Sequence, residues 1–73
     1  MKTWLTIMSW KRPTDTQKKV LWQNDLGEWF IGPRADWQTG DTVYVEVSAE
    51  SDEWGYREIV QVFGPVIRAK KNS

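Results

Sequence analysis

Val20-Leu21-Trp22-Gln23-Asn24-Asp25-Leu26-Gly27-Glu28-Trp29-Phe30-Ile31 reads as a β-hairpin, and the rest of the chain organises around it. Asn24 suits the first position of a type I turn. Gly27 suits the left-handed position that closes such a turn with a bulge, where a residue without Cβ enters without steric cost. This register pairs Asn24 with Glu28, Gln23 with Trp29, Trp22 with Phe30, and Leu21 with Ile31. Trp22 and Phe30 then oppose each other on one face as a compact cross-strand cluster. Gly32-Pro33 breaks the second strand.

Downstream, Thr42-Val43-Tyr44-Val45-Glu46-Val47 is the cleanest strand, with Val43, Val45 and Val47 on one side and Tyr44 and Glu46 on the other. Between it and the hairpin, Arg34 to Gly40 forms a loop holding Trp37, whose ring has few local partners and is expected to be exposed. Ser48 to Gly55 is an acidic turn region containing Trp54, and its Asp52-Glu53 pair reads as a solvated turn. Tyr56 to Phe63 is the next strand, Gly64-Pro65 a breaker, and Val66 to Ala69 a short edge strand. Upstream, Thr3 to Trp10 reads as a strand with Trp4, Thr6, Met8 and Trp10 on one face and Leu5 and Ile7 on the other. Lys11-Arg12-Pro13 ends it, because proline cannot donate to a ladder. Residues 14–19 start like a capping box, yet Val20 and Trp22 alternate directly after, so a basic loop leading into a strand is expected there. The predicted fold is mostly β: a small antiparallel barrel or sheet of four to five strands, of OB or SH3-like type. Residues 1–73 form one domain with a basic polar tail at 70–73.

Composition narrows the function. The chain has 73 residues, ten basic and ten acidic side chains, and neither His nor Cys. It therefore has no disulfide framework, no thiolate nucleophile and no imidazole metal ligand. Catalysis would fall to carboxylates, Lys, Tyr and hydroxyls in a core too small for elaborate networks, so a non-enzymatic protein is expected, without cofactor or metal. No apolar run approaches the roughly 20 residues of a membrane helix, and no signal-peptide pattern follows Met1-Lys2-Thr3-Trp4-Leu5. A cytoplasmic protein with no membrane partner is the expectation. The formal net charge of zero hides segregation. Residues 1–23 carry Lys2, Lys11, Arg12, Lys18 and Lys19 against Asp15. Residues 24–58 carry nine carboxylates against Arg34 and Arg57, and Arg68, Lys70 and Lys71 follow. Basic ends flank an acidic middle.

Six Trp in so short a chain exceed what its core can bury, so some are expected at the surface as anchors of a binding site. The mixed-face first strand and the cationic segment place the candidate partner-binding residues at Lys2, Trp4, Trp10, Lys11 and Arg12. The expected function is a protein-binding module docking on an acidic or mixed surface.

Two resemblances add to this reading. Trp22-Gln23-Asn24, Gly27-Glu28-Trp29-Phe30-Ile31-Gly32-Pro33 and Val43-Tyr44-Val45-Glu46-Val47-Ser48-Ala49 together resemble the cold-shock domain, over residues 20–49. In that family exposed aromatics on adjacent strands stack single-stranded bases beside cations that hold phosphate. The resemblance implies an alternative function, binding of single-stranded RNA or DNA through Trp22, Phe30 and Tyr44, with Trp29 joining if the alignment shifts by one. Glu28 and Glu46 depart from the family pattern, and carboxylates beside a stacking platform repel phosphate. In size and character the whole chain also resembles small phage-encoded proteins that bind host RNA polymerase and inhibit or antiterminate transcription. That likeness implies host RNA polymerase as the protein partner.

Overall fold

The structure, a computed structural model, describes residues 1–12 and 18–69. Most of the loop expected at residues 14–19, and the tail at 70–73, lie outside the described residues. Six strands follow in chain order: β1 (Lys2–Thr6), β2 (Ser9–Lys11), β3 (Val20–Gln23), β4 (Trp29–Gly32), β5 (Thr42–Val47) and β6 (Arg57–Ile67). They form one mixed sheet of order β1-β5-β6-β4-β3-β2. The protein is mostly β, as expected, but with six strands in an open sheet rather than four or five in an antiparallel one. No helix among the described residues is long and apolar enough to cross a membrane.

The hairpin has the register its turn chemistry dictates: Leu21 opposite Ile31, Trp22 opposite Phe30, Gln23 opposite Trp29. Asn24 N–H donates to the Glu28 carbonyl at 3.0 Å, and Gly27 sits at φ 81°. The parallel pair joins β4 to the start of β6, with Phe30 opposite Arg57 and Ile31 opposite Glu58. From Ile59 onward β6 runs antiparallel to β5. One long strand therefore belongs to both halves of the sheet, and it continues through Gly64-Pro65, where a stop and a separate edge strand were expected. The bond between those two residues is cis.

The strand expected over residues 3–10 is two strands with different partners. β1 pairs with β5 and β2 with β3. Ile7 and Met8 make the transfer: Ile7 N–H donates to the Asp41 carbonyl and Met8 N–H to the Gln23 carbonyl, each at 2.8 Å. The change of partner resets the alternation. Trp4 stays opposite Tyr44 on the outer face, while Trp10 lies opposite Trp22 on the core side.

Between the two halves lies a core of Leu5, Ile7, Val20, Trp22, Phe30, Trp37, Val43, Val45, Val47 and Ile59, with Val66 packed against it. The three valines of β5 follow the period of two read from the sequence. Trp37 corrects an expectation, being only 6% exposed. Its ring centroid lies 4.7 Å from that of Trp22, a partner distant in sequence. Trp22 also tethers this loop, since its Nε1–H donates to the Pro33 carbonyl at 3.1 Å.

Asp41 closes the same loop from the other side. Its Oδ2 accepts from Gln38 N–H and from Arg68 Nη1, both at 2.9 Å, and its Oδ1 accepts from Ala69 N–H at 2.8 Å. Arg68 Nη2 bridges on to Asp36 Oδ2 at 3.0 Å. The backbone donors of Gln38 and Ala69, helped by Arg68 and opposed by burial, hold the Asp41 carboxyl below its ordinary 3.8. A depressed folded value means that this carboxylate stabilises the fold above pH 3.8 and loses that contribution as pH falls through the folded value. Asp41→Asn is therefore expected to melt below the wild type at neutral pH, with the gap narrowing under acid. Thermal melts from neutral pH to well below 3.8 check this, and a gap that stays constant would count against it.

Candidate functional site

On the outer face of β1, β5 and β6, alternation and register together build three rows. Because Leu5, Val43 and Val45 point into the core, their neighbours point out. Lys2 stands beside Glu46 and Gln61, Trp4 beside Tyr44 and Phe63, and Thr6 beside Thr42 and Ile67. The middle row is continuous: Trp4 and Tyr44 ring centroids are 4.8 Å apart, and Tyr44 and Phe63 centroids 5.6 Å. The ring planes in the two pairs are tilted by 40° and 44°, and both centroid distances fall within the favoured range for aromatic pairs. Lys2 Nζ lies 5.2 Å from the Phe63 centroid, a cation at one end of the row. Trp4 is 52% exposed, while Tyr44 and Phe63 are half-buried by their neighbours.

Two irregularities in β6 frame this face. Glu46 pairs with Gln61 but Val47 with Ile59, which leaves Val60 as an extra, exposed residue. Beyond Phe63, Gly64, Pro65 and Val66 span what Val43 alone spans on β5. Both bulges fall either side of the paired segment that carries Gln61 and Phe63, so the aromatic row occupies a regular patch of sheet between them.

The residues expected to bind a partner divide into two groups. Lys2 and Trp4 lie on β1, at one margin of the sheet, and their side chains belong to the outer face. Trp10 and Lys11 lie on β2 at the opposite margin, with Arg12 exposed just beyond. The Trp10 ring packs 6.4 Å from Trp22 on the core side, while Lys11 Nζ sits 4.6 Å from the Trp29 centroid on the reverse side of β3 and β4. Trp4 and Trp10 thus do not share a face.

The set implied by the cold-shock resemblance does not assemble into one platform. Trp22 and Phe30, at 2% and 3% exposure, form the centre of the core and have no free ring face. Tyr44 stands outward beside Trp4 instead, and Trp29 pairs with Lys11 elsewhere. Phe63 is the site residue that sequence reading missed. The alternation of β6 is broken by the Val60 bulge, so no count from Ile59 places Phe63 on the outer face.

The arrangement offers contact area and orientation. Three rings supply a wide, rigid apolar strip; the Lys2 ammonium, the Glu46 carboxylate and the hydroxyls of Thr6 and Thr42 border it with polar groups of both signs. No family model, curated protein or solved structure matches the chain.

Proposed function

We propose that the protein is a non-enzymatic protein-binding module that docks through the outer face of β1, β5 and β6. The observation that carries this reading is the unbroken Trp4–Tyr44–Phe63 row facing solvent across three strands. Soluble proteins seldom leave contiguous aromatic surface uncovered without a use for it. Trp and Tyr are the side chains that most often dominate interface energetics, particularly when a polar rim shields them from water. Here Lys2, Glu46, Gln61, Thr6 and Thr42 form such a rim. Binding of single-stranded RNA or DNA is supported less well. Such sites set their rings in a cationic groove, and Lys2 is here followed in its row by Glu46. The particular partner proposed is host RNA polymerase, on the resemblance in size and character to phage-encoded regulators, in a cytoplasmic setting.

Affinity capture from bacterial lysate, with and without nuclease, tests the reading. The expected result is a stoichiometric protein partner that survives nuclease. Trp4→Ala and Lys2→Glu should reduce its recovery by about tenfold or more, the scale of losing one interface anchor. Both side chains are exposed, so both variants should keep the wild-type circular dichroism spectrum. Capture that vanishes with nuclease would replace the reading with nucleic-acid binding, and undiminished capture by both variants would remove the site from this face.

A further inference from the structure

Asn24-Asp25-Leu26-Gly27-Glu28 and Asp52-Glu53-Trp54-Gly55-Tyr56 fold into the same turn. In each, the side-chain oxygen of the first residue accepts from two backbone N–H groups: Leu26 and Glu28 donate to Asn24 at 3.1 and 2.9 Å, Trp54 and Tyr56 to Asp52 at 3.0 and 2.9 Å. In each, the first residue's N–H reaches the fifth residue's carbonyl, at 3.0 and 2.8 Å. The glycines match too, at φ 81° and 83°. The third residue of each turn is an apolar side chain held out into solvent. Leu26 at 79% and Trp54 at 69% are the most exposed of the large hydrophobic residues described.

The two turns flank one cleft of 230 Å³, lined among others by Trp29, Trp54 and Tyr56, with Glu28 and Arg57. Neither Trp54 nor Tyr56 stacks on another ring, while Trp29 already carries the Lys11 ammonium, so Trp54 and Tyr56 are the rings offered to a third group. The surrounding charge is lopsided. Residues 24–28 and 50–57 hold Asp25, Glu28, Glu50, Asp52 and Glu53 against two cations, Arg57 in the lining and Lys11 over Trp29. A cleft of aromatic faces in a negative field selects a cation, and one with a flat apolar surface gains most from the rings. The protein already uses this chemistry on one wall of the cleft, where Lys11 Nζ lies 4.6 Å from the Trp29 centroid.

We infer that this cleft is a second binding site, distinct from the Trp4 row, that takes an arginine side chain from a basic, flexible segment of a protein partner. The guanidinium stacks against Trp54 and is held by Glu28. The site does not depend on the reading given for the outer face.

A short peptide alternating arginine and serine is the probe, titrated into the isotope-labelled full chain while the Trp indole N–H resonances are followed. Saturable shifts at Trp54 and Trp29, with Trp4 unmoved, are expected. Trp54→Ala and Glu28→Gln should each weaken binding by roughly three- to tenfold, the scale of one partly desolvated cation–π or ionic contact. Trp54 is solvent-exposed, so its removal should leave the dispersion of the spectrum intact. The matching lysine peptide should bind several-fold more weakly. Equal binding of both peptides, insensitivity to Trp54→Ala, shifts confined to Trp4, or no saturable shift would each overturn the site.

Discussion

Trp22→Ala is expected to leave the chain largely unfolded at room temperature. The ring is 2% exposed and touches both halves of the core, lying opposite Phe30 across the hairpin and 4.7 Å from Trp37 in the covering loop. Truncating a buried Trp costs about 3–5 kcal/mol, because the lost transfer energy is joined by a cavity that the neighbours cannot fill. A core of this size supplies only about 3–5 kcal/mol net. The two quantities are equal within their spread, so one substitution removes the margin. It also strips the Pro33 carbonyl of its Nε1–H donor, which frees the loop that carries Trp37. Trp22→Phe separates these contributions: it keeps most of the buried area and loses the hydrogen bond, worth about 0.5–1.5 kcal/mol. Urea unfolding followed by near-ultraviolet circular dichroism measures both. An unchanged midpoint for the alanine variant would mean that the hairpin cluster is not what holds the two halves together.

Gly32→Ala is expected to destabilise by about 1–3 kcal/mol, through crowding rather than loss of contact. A Cβ on Gly32 would stand 2.8 Å from Ile59 Cδ1 and 2.9 Å from Ile59 Cβ. The Cδ1 atom can swing aside by a rotamer change, but Cβ is fixed to the backbone of β6. The strands themselves must part, at the parallel seam where Phe30 and Ile31 pair with Arg57 and Glu58. Shortening Ile59 to alanine in the same chain relieves only the outer contact, so the double variant should not regain wild-type stability. A melting temperature for Gly32→Ala equal to that of the wild type would show that this seam opens without strain.

These two sites divide what local sequence shows from what it hides. The hairpin and its register were legible because Asn24 and Gly27 specify a turn within four residues, and the turn fixes every pair above it. β5 was legible because three valines alternate without interruption. Gly32, by contrast, reads as a strand breaker; that it is also the point where a second strand passes within contact distance follows only from the β4–β6 pairing. The transfer of the first strand between partners at Ile7 and Met8 likewise depends on carbonyls from Asp41 and Gln23, far along the chain. Trp37 looked unpartnered because its partner, Trp22, belongs to the preceding hairpin. The candidate site was half visible. Lys2, Trp4 and Tyr44 were singled out but in two separate sets, and the pairing of β1 with β5 is what unites them. The second turn was written in the chain as Asp52 and Gly55, at the same spacing as Asn24 and Gly27. Its acidic neighbours made it read as an ordinary solvated loop.

The row of rings on the outer face draws one member from each of the first, fifth and last strands. As the chain leaves the ribosome, Trp4 emerges before Tyr44 and must wait for it, and both must wait for Phe63. Non-local pairings of this kind are made late, after the long intervening loops have been closed. Until then the first strand has an aromatic side chain and an open edge without the neighbouring rings that flank it in the fold. The aromatic row is therefore a property of a chain that has reached β6, and a nascent or prematurely terminated copy lacking β6 cannot assemble it.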